Sequence, residues 1–321
     1  MQNNIIFAKR ILILTSSSTG NNVFCTPAIH LLRKHLPHAE IAVVALNQLS
    51  AEVFAENPDI TRVYVIDKSR AFNKLAKDFD YVLVLNKNAL KKIADIEMPY
   101  VLVSPLMATS HHAEQLLEFV AGLLNVTVDD TDRRYVIGTS QNAANLLADF
   151  ALDAIDTVIN IHLGCGTTLL HGWKFFYARR ADDKKLWSIA SYIALGQALQ
   201  AQLPHLKIVI TGTNNESFLA KKFAKQVPNT INLVGRTTVS DLVALMQRAD
   251  LFIAHDCGVF HIAAASDVPM IGLFGPTNDV LTGPYPPSRH CKLIKKTTMP
   301  EILVSEVVEV ALQTLHNKKA T

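Results

Sequence analysis

The stretch Ala249–Tyr285, ADLFIAHDCGVFHIAAASDVPMIGLFGPTNDVLTGPY, carries two apolar runs, each closed by a turn. Leu251 to Ala254 has the length and composition of a buried parallel strand. It stops at His255-Asp256-Cys257-Gly258, and an alanine-rich helical stretch, Val259 to Ser266, follows at once. The second run, Pro269 to Phe274, ends in Gly275-Pro276-Thr277. Strand, tight turn, helix, strand is a βαβ unit, and open α/β sheets collect ligands at the carboxyl ends of such strands. Asp256 and Gly275-Pro276-Thr277 stand at those ends. The free N–H groups of the helix start favour an anion, and Gly258 lets one approach the backbone.

The chain on either side repeats this grammar. Thr157 to His162 reads as a strand, followed by Leu163-Gly164-Cys165-Gly166-Thr167-Thr168. Glycines and hydroxyls after a parallel strand suit a pyrophosphate, because backbone N–H groups and the hydroxyls of Thr167 and Thr168 can all donate. The next part, Leu169 to Lys184, is longer and more aromatic than a minimal connection, and reads as a loop or lid beside a substrate cleft. Its Trp173, Phe175, Phe176, Tyr177, Arg179 and Arg180 either meet a sugar and anionic groups or pack the loop on itself. Lys185-Leu186-Trp187 opens a helix, with Lys184 as the alternative register. Leu206 to Thr211 is another strand, and Gly212 to Glu216 opens the helix after it. Val239 to Arg248 is an amphipathic helix, and Pro300 to Leu315 forms the last one.

In the first half, apolar runs at Arg10–Thr15, Ile41–Leu46, Val63–Ile66, Tyr81–Leu85 and Tyr100–Val103 alternate with helical stretches. This alternation argues a parallel sheet with helices on both faces. A polar loop, Ser16 to Asn22, follows the first run, and a helix is expected from Pro27 to Leu36 with the proline in its first turn. No G-x-G-x-x-G follows the first strand and no Walker-type loop occurs, so the chain shows no nicotinamide or P-loop signature. His111-His112 points to different faces of a helix and reads as a helix start rather than a metal site. Asp130-Thr131-Asp132 matches a D-x-D but sits in a polar stretch read as a solvated linker.

Taken in order, Asp256-Cys257-Gly258, His261, Ala263-Ala264-Ala265, Pro269, Phe274-Gly275-Pro276-Thr277 and Thr282-Gly283-Pro284 resemble glycosyltransferase family 9, which includes the lipopolysaccharide heptosyltransferases. His162 and Gly164, Lys185-x-Trp187, Gly212 to Glu216, Leu233 to Thr238, and Ser17 to Asn21 with Pro27-Ala28 extend the resemblance over nearly the whole chain. It implies an α/β fold of two Rossmann-like domains facing across a cleft, the GT-B architecture. The domains are expected at 1–155 for the acceptor, with a crossover from about 126, and 156–300 for the nucleotide sugar. Residues 301–321 would pack back toward the first domain. The implied reaction moves a heptose or related sugar from ADP-heptose to a lipopolysaccharide core acceptor, with inversion and without a metal or other cofactor. Asp256 and His261 would then face the donor sugar and phosphates, with Cys257 and Gly258 offering backbone N–H groups. Thr167, Thr168 and Lys185 would neutralise the diphosphate, and Glu216 would hold the ribose.

The resemblance breaks where it bears on catalysis. The family's base is an aspartate at the position of Asn21, and a carboxamide accepts no proton at neutral pH. Asn21 is therefore either a turn residue or one that orients the acceptor, and His30 and His162 are the other candidate bases. Leu163 replaces a family proline, and Cys257 a serine or threonine hydroxyl. Three readings stand: an active transferase, a relative that binds donor without transferring it, and another two-Rossmann nucleotide-sugar enzyme such as an epimerase.

At 321 residues two domains are the natural expectation, and 49% hydrophobic with 18% charged residues describes a folded globular chain. The net charge of +3 suits an anionic substrate or a peripheral contact with the inner membrane, and lacks the dense basic stripe of a nucleic-acid binder. Four cysteines without a C-x-x-C pair fit reduced thiols in a cytoplasm. The run near the N-terminus is interrupted by Lys9 and Arg10 and reads as a strand lead-in rather than a signal peptide.

Overall fold

The computed structural model describes residues 5–98, 100–105, 107–141, 156–173, 176–180, 183–286 and 290–319. The chain divides into two compact units, Met1–Gly138 and Thr139–Thr321. The helical stretch expected over Gln141–Ala151 lies, from residue 142 on, outside the described residues.

The first unit is built on β1 (Arg10–Leu14), β2 (Glu40–Ala45), β3 (Arg62–Val65), β4 (Tyr81–Val84) and β5 (Val101–Val103). All pair in parallel, in the order β3-β2-β1-β4-β5. The central strands are apolar throughout because both faces are covered, and Ile11 to Leu14 and Val82 to Val84 are fully buried. Helices α1 (Thr19–His35), α2 (Gln48–Ala51) and α3 (Ser69–Ala76) connect the first four, and α4 (His112–Leu124) follows β5. His111 caps α4, its ring accepting the Ala113 N–H at 3.1 Å.

Helix α1 begins eight residues before Pro27, so the proline lies inside the helix rather than in its first turn. Pro27 has no N–H for the Val23 carbonyl. The Thr26 hydroxyl takes that acceptor instead, at 2.8 Å, and the helix continues. The segment after α4 is also firmer than its polarity suggests. Asp132 is 1% exposed, and its carboxylate accepts from Lys34 Nζ of α1 at 2.7 Å and from Asp129 N at 3.0 Å. It is a buried latch, where the sequence suggested solvated linker. Asp132→Ala strips that partner set and is expected to lower stability by about 2 kcal/mol in urea unfolding. Asp130→Ala, at a fully exposed position, should leave the midpoint near wild type.

The second unit carries β6 (Thr157–His162), a hairpin of β7 (Leu169–Trp173) and β8 (Phe176–Arg180), then α5 (Ile189–Gln202), β9 (Leu206–Thr211) and α6 (Ser217–Gln226). It continues with β10 (Thr230–Asn232), α7 (Val239–Arg248), β11 (Leu251–His255), α8 (Gly258–Ala263), β12 (Met270–Phe274), α9 (Asp279–Thr282), β13 (Cys291–Lys295) and α10 (Val304–Lys319). The large sheet runs β10-β9-β6-β11-β12-β13, all parallel. Alternate residues divide between two cores. Ile159, Ile161, Ile253 and Ile271 face one, with α5, α6 and α10 over them. Val158, Val209, Phe252 and Phe274 face the other, under α7 and α8. This period of two on both faces is the signature of a doubly wound sheet.

One expectation changes here. Leu169–Trp173 and Phe176–Arg180 pair as antiparallel strands, Leu169 opposite Arg180 and Trp173 opposite Phe176, where a loop or lid was expected. The last helix buries Val307, Ala311 and Leu315 in the core beneath α5. Its own apolar spacing requires a cover, and that core supplies it. No helix among the described residues is long and apolar enough to cross a membrane.

Candidate functional site

In the second sheet the winding direction reverses between β6 and β11, and the carboxyl ends of these two strands flank the crevice that such a reversal creates. The register pairs Ile161 with Ile253, so the loops after His162 and His255 leave the sheet side by side. Most of the residues singled out from sequence emerge on this one edge.

After β11, Asp256 is 7% exposed and sits between Lys185 and His261. Lys185 Nζ lies 3.8 Å from its Oδ2, and His261 Nε2 lies 3.7 Å from its Oδ1. Burial opposes the charge on Asp256, but His261, Lys185 and the Thr277 hydroxyl outweigh it and hold the carboxyl below its ordinary value of 3.8. Lys185 occupies a turn before α5 rather than the helix itself, and Lys184 is the exposed neighbour. Cys257 precedes α8 without a side-chain cap bond, and burial raises its thiol pKa, so it stays neutral. Cys257 and Gly258 can therefore offer backbone N–H groups only.

After β6, the two threonines differ. Thr168 is 2% exposed, and its hydroxyl accepts the Cys165 N–H at 3.0 Å, closing the turn. Thr167 is exposed, and its hydroxyl donates to Asp183 Oδ2 at 2.7 Å. The other Asp183 oxygen accepts the Lys185 N–H at 3.0 Å. The Thr167 hydroxyl proton is thus taken up by Asp183, while the Thr168 oxygen is an acceptor within its own turn.

After β9, Glu216 is 5% exposed and accepts from the hydroxyl of Thr213 at 2.9 Å and from its N–H at 2.5 Å. Its other oxygen lies 3.5 Å from His162 Nε2. Burial would raise the Glu216 pKa, but His162 and Thr213 lower it overall, so the group is a carboxylate. His162 Nδ1 donates to the Thr211 carbonyl at 3.0 Å, which leaves Nε2 facing the Glu216 carboxylate. A Cβ on Gly164 would stand 2.4 Å from Glu216 Cγ, so this glycine makes the space that Glu216 fills. Gly164→Ala is expected to cost about 2 kcal/mol of stability, read as a lower urea midpoint, because a packed carboxylate must move.

One residue escaped the sequence reading. His255 ends β11 with no solvent exposure, and the buried Tyr192 hydroxyl lies 2.9 Å from its Nδ1. Burial pushes its pKa down to about 3, and nearby His162 and Lys185 push the same way. A histidine closing an otherwise apolar strand immediately before Asp256 was the available signal.

In the first unit the winding likewise reverses, between β1 and β4. The loop after β1 leads into the first turn of α1, where Asn21 stands half-buried. Asn22, not Asn21, ties this loop: its Oδ1 accepts the Ser16 N–H at 2.9 Å and its Nδ2 donates to the Ser50 carbonyl at 2.9 Å. The contacts that tie the loop are thus those of Asn22, while Asn21 lies in the first turn of the helix. His30 lies nine residues on, about 13 Å down the helix axis, and its Nδ1 is 2.8 Å from Asp59 Oδ2. It cannot serve the β1 loop. Among the described residues no group of three His, Cys, Asp or Glu side chains is placed to hold a metal ion.

Two all-parallel Rossmann-like sheets in one chain are the GT-B architecture, and the second carries a Lys-Asp-His cluster at its reversal point. Residues 175–308 match the model for glycosyltransferase family 9 (heptosyltransferase). Over that part of its length the chain is similar to that family, and it is a heptosyltransferase-like glycosyltransferase. It is 26% identical to lipopolysaccharide heptosyltransferase 3 of Escherichia coli over 303 residues, 83% of each chain. A family 9 glycosyl transferase from Veillonella parvula shares the fold at a TM-score of 0.79 and 20% identity, over 96% of this chain and 97% of that one. The E. coli ADP-heptose lps heptosyltransferase II does so at 0.77 and 17%, over 97% and 99%.

Proposed function

We propose that the protein transfers a heptosyl or related unit from an ADP-sugar to a lipopolysaccharide core sugar, with inversion and without a metal. One observation carries this reading: Lys185, Asp256 and His261 converge at the reversal point of the second sheet, within 4 Å contacts of one another through Asp256. A diphosphate laid there meets the Lys185 ammonium and the backbone N–H groups of Cys257 and Gly258. As the bond from the anomeric carbon to the ADP oxygen breaks, negative charge grows on that oxygen, and Lys185 is placed to stabilise it. The acceptor hydroxyl attacks from the opposite face and passes its proton to water as the new C–O bond forms. Glu216, held as a carboxylate, accepts hydrogen bonds from the ribose. The relatives' names supply the sugar and the acceptor; lipopolysaccharide heptosyltransferase is what the matched E. coli protein is called. On this reading the enzyme works in the cytoplasm, with peripheral contact at the inner face of the membrane that carries the acceptor's lipid.

Thermal unfolding with ADP-heptose, ADP and other nucleotide sugars tests it. A ligand that binds only the native state at 100 times its Kd adds about 2.7 kcal/mol of stability, so ADP and ADP-heptose should raise Tm while UDP-sugars should not. Indifference to every adenine nucleotide would end the proposal.

A second reading rests on Asn21 alone. With a carboxamide where the family has its base, the protein would bind donor and transfer little or nothing. Donor binding without turnover is its signature.

A further inference from the structure

Asp183 belongs to none of the motifs that carried the resemblance, yet it makes the contacts that hold two loops of the candidate site together. It follows the β7–β8 hairpin, and Thr167 precedes that hairpin. The hydrogen bond from Thr167 Oγ1 to Asp183 Oδ2, at 2.7 Å, therefore closes the base of the hairpin across sixteen positions of sequence. On the other oxygen, the 3.0 Å bond from Lys185 N forms a local Asx turn, and the Asp183 carbonyl accepts Leu186 N at 3.0 Å as well. A local turn would need only the latter contacts. The long-range bond adds a constraint of another kind: it ties the turn after β6 to the turn whose Lys185 side chain reaches Asp256 after β11.

Charge makes the arrangement more specific. A carboxylate beside a site for a diphosphate repels the ligand, so on electrostatics alone Asp183 is misplaced. Its hydrogen bonds with the Lys185 N–H and Thr167, and the Lys185 charge, hold Asp183 ionised against partial burial. Charge-assisted hydrogen bonds of this sort are the ones that fix geometry.

We propose that Asp183 is the positioning residue of the donor-phosphate site, joining the Gly164–Thr168 turn to the Lys185 turn so that the lysine ammonium meets the diphosphate. The inference rests on the donor reading given above. Asp183 does not touch the ligand, and it acts through Lys185.

Calorimetry with ADP on the full chain tests it, using wild type, Asp183→Ala, Asp183→Asn, Lys185→Ala and the double variant Asp183→Ala/Lys185→Ala. The expected result is an approximately tenfold loss of ADP affinity in Asp183→Ala. Asp183→Asn keeps one acceptor oxygen for the Lys185 N–H and should recover part of that loss. In the Lys185→Ala background, Asp183→Ala should cost little more, because the group it positions is gone. A purely structural role would lower Tm and affinity alike and leave the two substitutions additive. Three outcomes overturn the proposal: unchanged affinity in Asp183→Ala, additivity with Lys185→Ala, or tighter binding in both Asp183 variants, which would make the carboxylate merely repulsive. If Asp183→Ala does not fold, Asp183→Asn decides, with an intermediate loss that vanishes in the Lys185→Ala background as the supporting result. Wild type failing to bind ADP would sink the donor reading itself, which the other outcomes leave standing.

Discussion

Lys185→Ala is expected to lower heptosyl transfer about 10²- to 10³-fold, the range seen when one preorganised donor to a developing anion is removed. The ammonium lies 3.8 Å from Asp256 Oδ2 and is about one-third exposed, so it is partly desolvated and free to turn toward a ligand. Its loss acts twice. The leaving diphosphate loses its counter-charge, and Asp256 loses one of the groups that offset its negative charge beside the phosphates. Steady-state kinetics should show kcat falling with kcat/KM, since the charge matters most where the bond is breaking. Lys184→Ala removes the same formal charge from an exposed position and is the control. Wild-type turnover in Lys185→Ala would show that the cluster around Asp256 is structural.

Asn21→Asp is expected to raise transfer about 10- to 100-fold, below the full range for a general base because the rest of the loop has not been tuned to one. The position can take the charge: Asn21 is in the first turn of α1, where a carboxylate is favoured by the unsatisfied N–H groups of the helix start. It is half-buried, and the loop's own hydrogen bonds are made by Asn22, so the substitution disturbs no latch. The gain should be confined to kcat at saturating acceptor and should grow as the pH rises through the range where the new carboxyl ionises. Equal rates for the two proteins would mean that the proton is taken elsewhere.

The architecture was legible because parallel strands buried on both faces are written as uninterrupted apolar runs. Leu251–Ala254, Thr157–His162 and Leu206–Thr211 read as strands, and each is one, with His255 added to the first. The placement of site residues followed from the same fact, since the residues after such strands share an edge. Where the reading missed, the cause was a local competitor that composition does not show. Pro27 looked like a helix start, but Thr26 supplies the carbonyl's missing partner and α1 runs through it. The aromatic stretch after Thr168 looked like a loop, yet its ends pair in register as a hairpin. Hydroxyl bookkeeping was the least visible level. Thr167 and Thr168 look alike in sequence, and only coordinates show that one closes a turn and the other is spent on Asp183.

The anchoring of Trp187 ties the reactive edge to the far end of the chain. Its indole N–H donates to the Ile302 carbonyl at 3.1 Å, two residues beyond Lys185 in one direction and two residues before α10 in the other. A shortened protein ending before residue 302 would leave that buried donor orphaned and uncover the apolar floor beneath α5. An isolated nucleotide-sugar module made for binding studies therefore has to retain the terminal helix, even though that helix contributes none of the residues proposed to meet the ligand.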